Sequence, residues 1–382
     1  MQHSLTRGCG RRRGGDGACR VRGSAVEPRS RCSVRQARGW TATQSKGQPV
    51  LRQMLLAAAV CCLLGPFWTA ATTEPASTSA THAATPAVRW FGFWDPDSAS
   101  EMRGFTNLAF CDAWPPSTAA AEAHENVAQG IQCLFYLESL FLTQLPNRSY
   151  ALRHNHSAIW GELRQPLCNL IIDQKALGFF LGDELVYGGL WWGDLDTYAT
   201  MVKSGCPSAK VYYNEAFPPI FGMGRMHTLN ASPYFYPHVP TSLDWVSMDL
   251  YPDWFSVGGA IEFVRWSLFG KMTDHQRAVL VPPAYGDRPN AAITAMDCDG
   301  LDCDETMSVW ASEMAAFASS DYAQGKVVGI LPFKWRYPNS SCHDRHDRRC
   351  IGAADLPKTR QLWQGIGRSI VNQSLPPNWV KD

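Results

Sequence analysis

Acidic side chains recur at one kind of place in this sequence. Eight short apolar runs, rich in Val, Ile, Phe and Tyr, lie between Val88 and Phe333, and seven of them end in a carboxylate. These acids are Asp95, Asp112, Glu138, the adjacent Asp183 and Glu184, Glu215, Asp249 and Asp287. The eighth run ends in Lys334 and Trp335. Carboxyl groups gathered at one mouth could perform acid/base hydrolysis. One stays protonated and gives its proton to a leaving oxygen; another stays ionised as nucleophile, base or electrostatic support. Crowding of like charges keeps one of them protonated. Glu184, Asp183, Asp249 and Glu215 are the catalytic candidates. Tyr251, Tyr285, Asp287, Trp335, Lys334, Trp94 and Asp95 are candidates for holding a substrate, although Asp95, before Pro96, also suits a helix cap. Asp183 and Glu184 are neighbours, and neighbours on an extended chain point opposite ways. An extended backbone would therefore turn at most one of them to a pocket.

The runs that must position these groups are Val88–Trp94, Phe105–Cys111, Ile131–Leu137, Ala176–Gly182, Lys210–Asn214, Asp244–Leu250, Arg277–Ala284 and Lys326–Phe333. They lack strict alternation, which suits strands buried on both faces of a parallel sheet. Helical patterns fill most intervals: Ser117–Gln129, Ser157–Gln174, Leu195–Lys203, Gly259–Lys271, Thr306–Gln324 and Leu356–Gln373. The stretch after the first run allows only a short helix, and Pro218–Pro240, rich in Pro and Gly, reads as irregular. Strand and helix alternating eight times predicts a single α/β domain, a (β/α)8 TIM barrel, over 88–376. A doubly wound open sheet is the alternative. In the barrel, chemistry collects where the strands end, which is where the acids fall.

The segment GFFLGDEL, Gly178–Leu185, opens at Gly182 and presents Asp183 and Glu184 in succession. Here the chain resembles the TIM-barrel glycoside hydrolase superfamily, in which many families place the general acid at the end of strand four, the position of Glu184. The consecutive Asp-Glu is similar to the hexosaminidase pattern, which implies that Asp183 orients an N-acetyl group of the substrate while Glu184 is the acid/base. The segment SMDLYP, with Met248 and Tyr251, is distantly similar to the sixth strand of chitinase-like barrels. Many retaining members carry Asn-Glu on strand four and a Glu nucleophile on strand seven. This chain has Asp-Glu, and its seventh run, LVPPAYGD, has no Glu. The resemblance therefore leaves Asp249, Glu215 or the substrate itself as nucleophile, implies a carbohydrate partner and requires no cofactor or metal. A barrel that binds glycans without cutting them is the alternative function; a metal-dependent hydrolase is a third. Of the 15 Trp, several fall at or after strand ends, including Trp94, Trp114, Trp191, Trp192, Trp254 and Trp335. Their ring faces could stack on sugars or simply pack.

The chain has 382 residues and a formal net charge of +1, which sums two unlike parts. Residues 1–53 hold 12 Lys+Arg against 2 Asp+Glu and show no apolar periodicity, so they read as a disordered basic leader or a mis-assigned start. The remaining body is acidic and offers no basic face for nucleic acid. Residues 54–71, MLLAAAVCCLLGPFWTAA, read as a secretory signal peptide starting at Met54. Extended to Thr73, the same run could instead be an uncleaved anchor of a type II membrane protein. Residues 72–87 form a Ser/Thr/Pro linker. The expectation is a secreted or lumenal protein. Eight Cys lie in the body, and an even number suits disulfides outside the cytosol. Cys298 with Cys303 and Cys342 with Cys350 suit local loops, while Cys111, Cys133, Cys168 and Cys206 allow three pairings. Sequons start at Asn147, Asn155, Asn230, Asn339 and Asn372. Asp297–Glu305 opens like a calcium loop but lacks its closing Glu, and reads as an acidic surface loop. His343 and His346, between Cys342 and Cys350, match no closed zinc site.

Overall fold

The computed structural model describes residues 88–94, 100–146, 149–221, 239–252, 255–287, 303–336 and 350–374. The leader, the apolar segment at 54–71, the linker, Asp95 and Trp254 lie outside them. The strands are β1 (Trp90–Phe91), β2 (Leu108–Asp112), β3 (Gln132–Tyr136), β4 (Leu142–Gln144), β5 (Tyr150–Leu152), β6 (Ala176–Asp183), β7 (Lys210–Ala216), β8 (Trp245–Asp249), β9 (Arg277–Leu280), β10 (Tyr285–Asp287), β11 (Val327–Ile330) and β12 (Cys350–Gly352). The helices are α1 (Pro116–Ala128), α2 (Glu138–Phe141), α3 (His156–Ile172), α4 (Trp192–Gly205), α5 (Phe217–Phe221), α6 (Val257–Phe263), α7 (Cys303–Ala318) and α8 (Pro357–Ser374).

Eight strands form one parallel sheet in the order β1-β11-β9-β8-β7-β6-β3-β2. Apart from β1 and β2, successive barrel strands pair with one another, and the first pairs with the last. The doubly wound alternative needs a reversal of order and is excluded. The fold is a nearly closed (β/α)8 barrel. One side chain bridges the remaining seam between β1 and β2. The Asn107 amide oxygen accepts from Phe91 N–H (2.8 Å), and its Nδ2 donates to the Arg89 carbonyl (2.9 Å). The Asn107 backbone N–H donates to the Phe91 carbonyl (2.9 Å). The amide thus does the work of a missing strand residue.

The barrel interior is filled by Leu108, Phe110, Leu134, Phe180, Tyr212, Trp245, Val279 and Leu331, with Trp90, Trp94 and Tyr136 packed against them. The opposite strand faces meet the helices in a second, larger core. Cys111–Cys133 ties β2 to β3, and Cys168–Cys206 ties α3 to the end of α4, which selects one of the three expected pairings. Cys303 is disulfide-bonded; Cys298 and Cys342 lie outside the described residues. Among the described residues no helix is long and apolar enough to cross a membrane.

Differences from the expected elements are local. The predicted Gly259–Lys271 helix is α6 continued by a π-helical turn, Val264–Leu268. Two antiparallel pairs decorate the barrel: β4 with β5, and β10 with β12. Each has three-residue strands, too short to carry a period. The acidic loop expected over Asp297–Glu305 ends inside the first turn of α7. There Asp304 caps α8 through the N–H groups of Lys358 and Thr359, both at 2.8 Å.

Asn107 is 2% exposed. Asn107→Leu keeps the volume and strands the Phe91 N–H and the Arg89 carbonyl. A loss of about 2 kcal/mol is expected in urea unfolding, and a change below about 0.5 kcal/mol would show that the seam closes without the amide.

Candidate functional site

The backbone leaves the extended conformation where β6 ends. Gly182 has φ 150° and Glu184 has φ 47°, in the left-handed region that costs a non-glycine residue about 1–2 kcal/mol. The φ of Gly182 is one that residues with a Cβ rarely adopt, and a Cβ there would also lie 2.9 Å from Glu138 Oε2, which favours glycine at this position. The sheet register also shifts between Phe180 and Asp183. This turn undoes the alternation expected of adjacent residues. Asp183 and Glu184 line the same cavity, of about 280 Å³, with Tyr136, Glu138, Tyr150, Tyr187 and Gly188.

Glu215 pins the turn. Its carboxylate accepts from Val186 N–H (3.1 Å), Tyr187 N–H (3.3 Å) and the Tyr213 hydroxyl. It has no exposed surface. On β7 the even positions, Tyr212 and Asn214, face the barrel, and the odd ones face the helices. Of the two candidates for the second carboxylate, Asp249 and Glu215, the structure turns Glu215 away from the barrel interior and occupies both its oxygens with backbone N–H groups and the Tyr213 hydroxyl. Asn214 takes the inward place. Its Nδ2 donates to Asp183 Oδ1 (2.6 Å) and Asp249 Oδ1 (2.9 Å), and its Oδ1 accepts from Ser247 Oγ.

The acids converge. Glu184 and Asp249 are hydrogen-bonded side chain to side chain. Burial raises the pKa of Glu184, partly offset by that bond. Burial, then the charges of Asp183 and Glu184, raises Asp249 well above the carboxylate range. Burial also lifts Asp183 to about 7, against the Asn214 hydrogen bond. Glu138 completes the cluster. Its Oε2 accepts from the Asp183 N–H (3.0 Å) and the Tyr136 hydroxyl (2.7 Å), and its carboxylate also takes the Tyr150 hydroxyl. Hence the Glu184–Asp249 pair and Asp183 form one cluster of interacting acids, with Asn214 holding Asp183 and Asp249 and Glu138 flanking them.

The expected substrate-binding residues divide. Tyr251 and Tyr285 meet edge to face at 5.8 Å, and both contact Phe333. Tyr251 also feels the charge of Asp249. Trp94 packs edge-on to Phe110 (4.7 Å) and Phe180 (4.9 Å) within the barrel filling. Trp335 is corrected: it is 3% exposed, packed on Phe93 and Phe105, and its indole N–H donates to Glu101 (3.2 Å). A ring covered in this way offers no face to a sugar. Lys334 is half-buried and follows a cis peptide bond from Phe333. The Asp287 backbone pairs with Cys350; its side chain, like Asp95, lies outside the described set. Asp112 is exposed and receives no cavity contact. Asn214, Ser247, Tyr136 and Tyr150 escaped the sequence reading. The parity of β7, with Tyr212 inside, could have located Asn214; nothing in the sequence marks Tyr150.

A larger cavity, about 590 Å³, opens at the other end of the barrel, among Arg89, Lys210, His275 and Arg277. Its acid, Asp244, is held by Lys203 at 2.8 Å. Among the described residues it is lined by that single acid, whereas the smaller cavity gathers Glu138, Asp183 and Glu184, and is the candidate active site.

No family model matches the chain, and no curated protein matches it. Solved structures similar to it are TIM-barrel glycoside hydrolases at low identity. A thermostable mutant of a xylanase from Cellvibrio japonicus is 10% identical, with 71% of this chain and 93% of that chain covered and a TM-score of 0.45. A GH113 β-1,4-mannanase is 10% identical, with 76% and 99% covered and a TM-score of 0.44. The xylanase of Paenibacillus barcinonensis is 10% identical, with 76% and 100% covered and a TM-score of 0.47.

The buried acids set a pH dependence. Asp183 is raised to about 7 and Glu215 to about 8, in both cases first by burial. A carboxyl with a higher pKa folded than unfolded binds its proton more tightly in the folded state. Its contribution is complete below the unfolded pKa, near 4, and is lost as pH rises through the folded value. Stability is therefore expected to fall between about pH 5 and pH 8, by up to about 1.4 kcal/mol per pH unit for each group. Thermal unfolding across this range tests it. Asp183→Asn should flatten the slope, and a melting temperature that climbs from pH 5 to pH 8 would contradict the assignment.

Proposed function

We propose that the chain is a glycosidase, a TIM-barrel hydrolase that cleaves glycosidic bonds by carboxylate acid/base catalysis. The observation that carries this reading is the hydrogen-bonded Glu184–Asp249 pair beside Asp183 at the C-terminal mouth. Two carboxyls in contact cannot both ionise, so the pair keeps a proton at a pH where a lone carboxyl has lost it. That proton passes to the glycosidic oxygen as its bond to the anomeric carbon breaks. Asp183, held by Asn214, faces the positive charge that develops on the sugar. Water adds to the anomeric carbon, and its proton returns to the pair. The resemblance to hexosaminidase-type barrels offers a variant, in which Asp183 steadies an N-acetyl group that attacks in place of water.

The cavity lining suggests the kind of sugar. Among the described residues, acids and tyrosines line it, with no basic side chain. The hydroxyls of Tyr136 and Tyr150 both donate to Glu138. The walls are therefore rich in acceptors, which suits uncharged sugars whose hydroxyls donate and disfavours uronic or sulfated ones. Disulfides between β2 and β3 and between α3 and α4 support an exported protein, because such bonds persist outside the cytosol.

One observation favours a second reading, a barrel that binds glycans without cutting them. Retaining glycosidases separate their two carboxyls by about 5–5.5 Å and inverting ones by about 6.5–9.5 Å. Glu184 and Asp249 are in direct contact instead. Glu184→Gln separates the two readings. On a panel of neutral oligosaccharides the parent should turn over substrate and the variant should lose at least about 100-fold, with an unchanged melting temperature. Binding without turnover in both proteins selects the second reading, and turnover by the variant equal to the parent's removes Glu184 from the mechanism.

A further inference from the structure

Among the described residues, few large apolar side chains face solvent, and one of them stands beside the cavity. Trp191 is 62% exposed and caps α4, with an extended backbone at φ −70° and ψ 139°. Leu190, just before it, is fully buried, so the loop is anchored where the indole emerges. Trp191 follows Gly188, which lines the cavity, by three positions. A chain of that length places the two Cα atoms no more than about 11 Å apart.

The ring is seated. A Cβ added at Gly193 would lie 2.1 Å from Trp191 Cζ3 and 2.5 Å from Cη2. The benzo edge of the indole thus rests against the glycine Cα, in space that any other residue would fill. An exposed Trp loses rotamer freedom when it holds a ligand, and a seated one has already lost it. Two other tryptophans are exposed among the described residues: Trp114 at 52%, just after β2, and Trp266 at 77% on the π-helical turn outside the barrel, its indole N–H tied to Glu262 at 2.9 Å. Trp266 lies on the flank, away from the residues that line the cavity, and Trp114 has no residue of its own loop among them.

We propose that Trp191 is a stacking platform for a second sugar unit, so that the substrate is an oligosaccharide or polysaccharide reaching from the Glu184 carboxyl out over α4. A flat apolar ring at a polar rim suits the C–H face of a pyranose. The inference rests on the proposed glycan chemistry and adds to it the length of the ligand. It assigns Trp191 to recognition, with no part in bond cleavage.

Two variants test it together. Trp191→Ala removes the ring. Gly193→Ala keeps the ring and displaces it, while replacing a glycine within a helix by the best helix former, which does not weaken α4. Each should lower kcat/KM for neutral oligosaccharides about tenfold, equivalent to about 1.4 kcal/mol. The effect should lie in KM, with the aryl glycoside of a single sugar cleaved as by the parent. Trp191→Phe should recover most of the loss, and Trp266→Ala should change nothing. Equal losses on long and short substrates, or no loss on either, overturn the platform. If the parent cleaves no glycan, the glycosidase reading fails by itself, and calorimetric titration with the same oligosaccharides reads the platform. Binding that weakens about tenfold in both variants supports it, while binding that is absent or unchanged rejects it.

Discussion

The carboxylate of Glu215 determines where the other acids can be. It lies sealed between β7 and the helices and accepts the N–H groups of Val186 and Tyr187. Those two amides belong to the turn that carries Glu184 in a left-handed backbone conformation. The bond from Glu184 N–H to the Asn214 carbonyl (3.0 Å) and that from Gly188 N–H to the Glu184 carbonyl (2.6 Å) close the same turn. An extended chain here would place Asp183 and Glu184 on opposite faces of the sheet. The strained turn puts both in one cavity, and buried hydrogen bonds offset its cost.

What lies beneath the acids explains their tight hold on protons. Trp94 packs edge to face on Phe110, Phe180 and Tyr212, which also contact one another, and together they fill the barrel, leaving little room for water below the site. The Tyr212 hydroxyl meets Ser247 Oγ at 2.7 Å, and Ser247 in turn meets Asn214. A polar layer therefore sits directly on an aromatic one, and the low dielectric of the second raises the carboxyl pKa values in the first. Arg89, Lys210 and Arg277 are at the far end of the strands, and among the described residues no ammonium or guanidinium lines the acidic cavity to relieve the crowding.

The barrel was legible because apolar runs and helical patterns alternate in a way few folds permit, and all eight runs became barrel strands. The convergence of Glu184, Asp183 and Asp249 was legible for the same reason: strand ends meet at one mouth. The failures share a cause. Glu215 was misplaced because Lys210–Asn214 was read without assigning inside and outside, although Tyr212 within the barrel fixes Asn214 as inward. Trp335 was misplaced because a strand end is close to both the mouth and the helix layer, and only packing against Phe93 and Phe105 decides between them. Tyr150 arrives on the β4–β5 hairpin, whose three-residue strands leave no periodic trace.

The seam at Asn107 bears on the order in which the molecule is made. β1 finds its strand partner in β11, with Trp90 opposite Gly329, so the first barrel strand to leave the ribosome pairs with the last. Until then its one lateral tie is the local loop through Asn107. Translation thus yields an open, curling sheet whose leading edge stays unpaired for most of synthesis, and that edge is the surface a chaperone would need to guard.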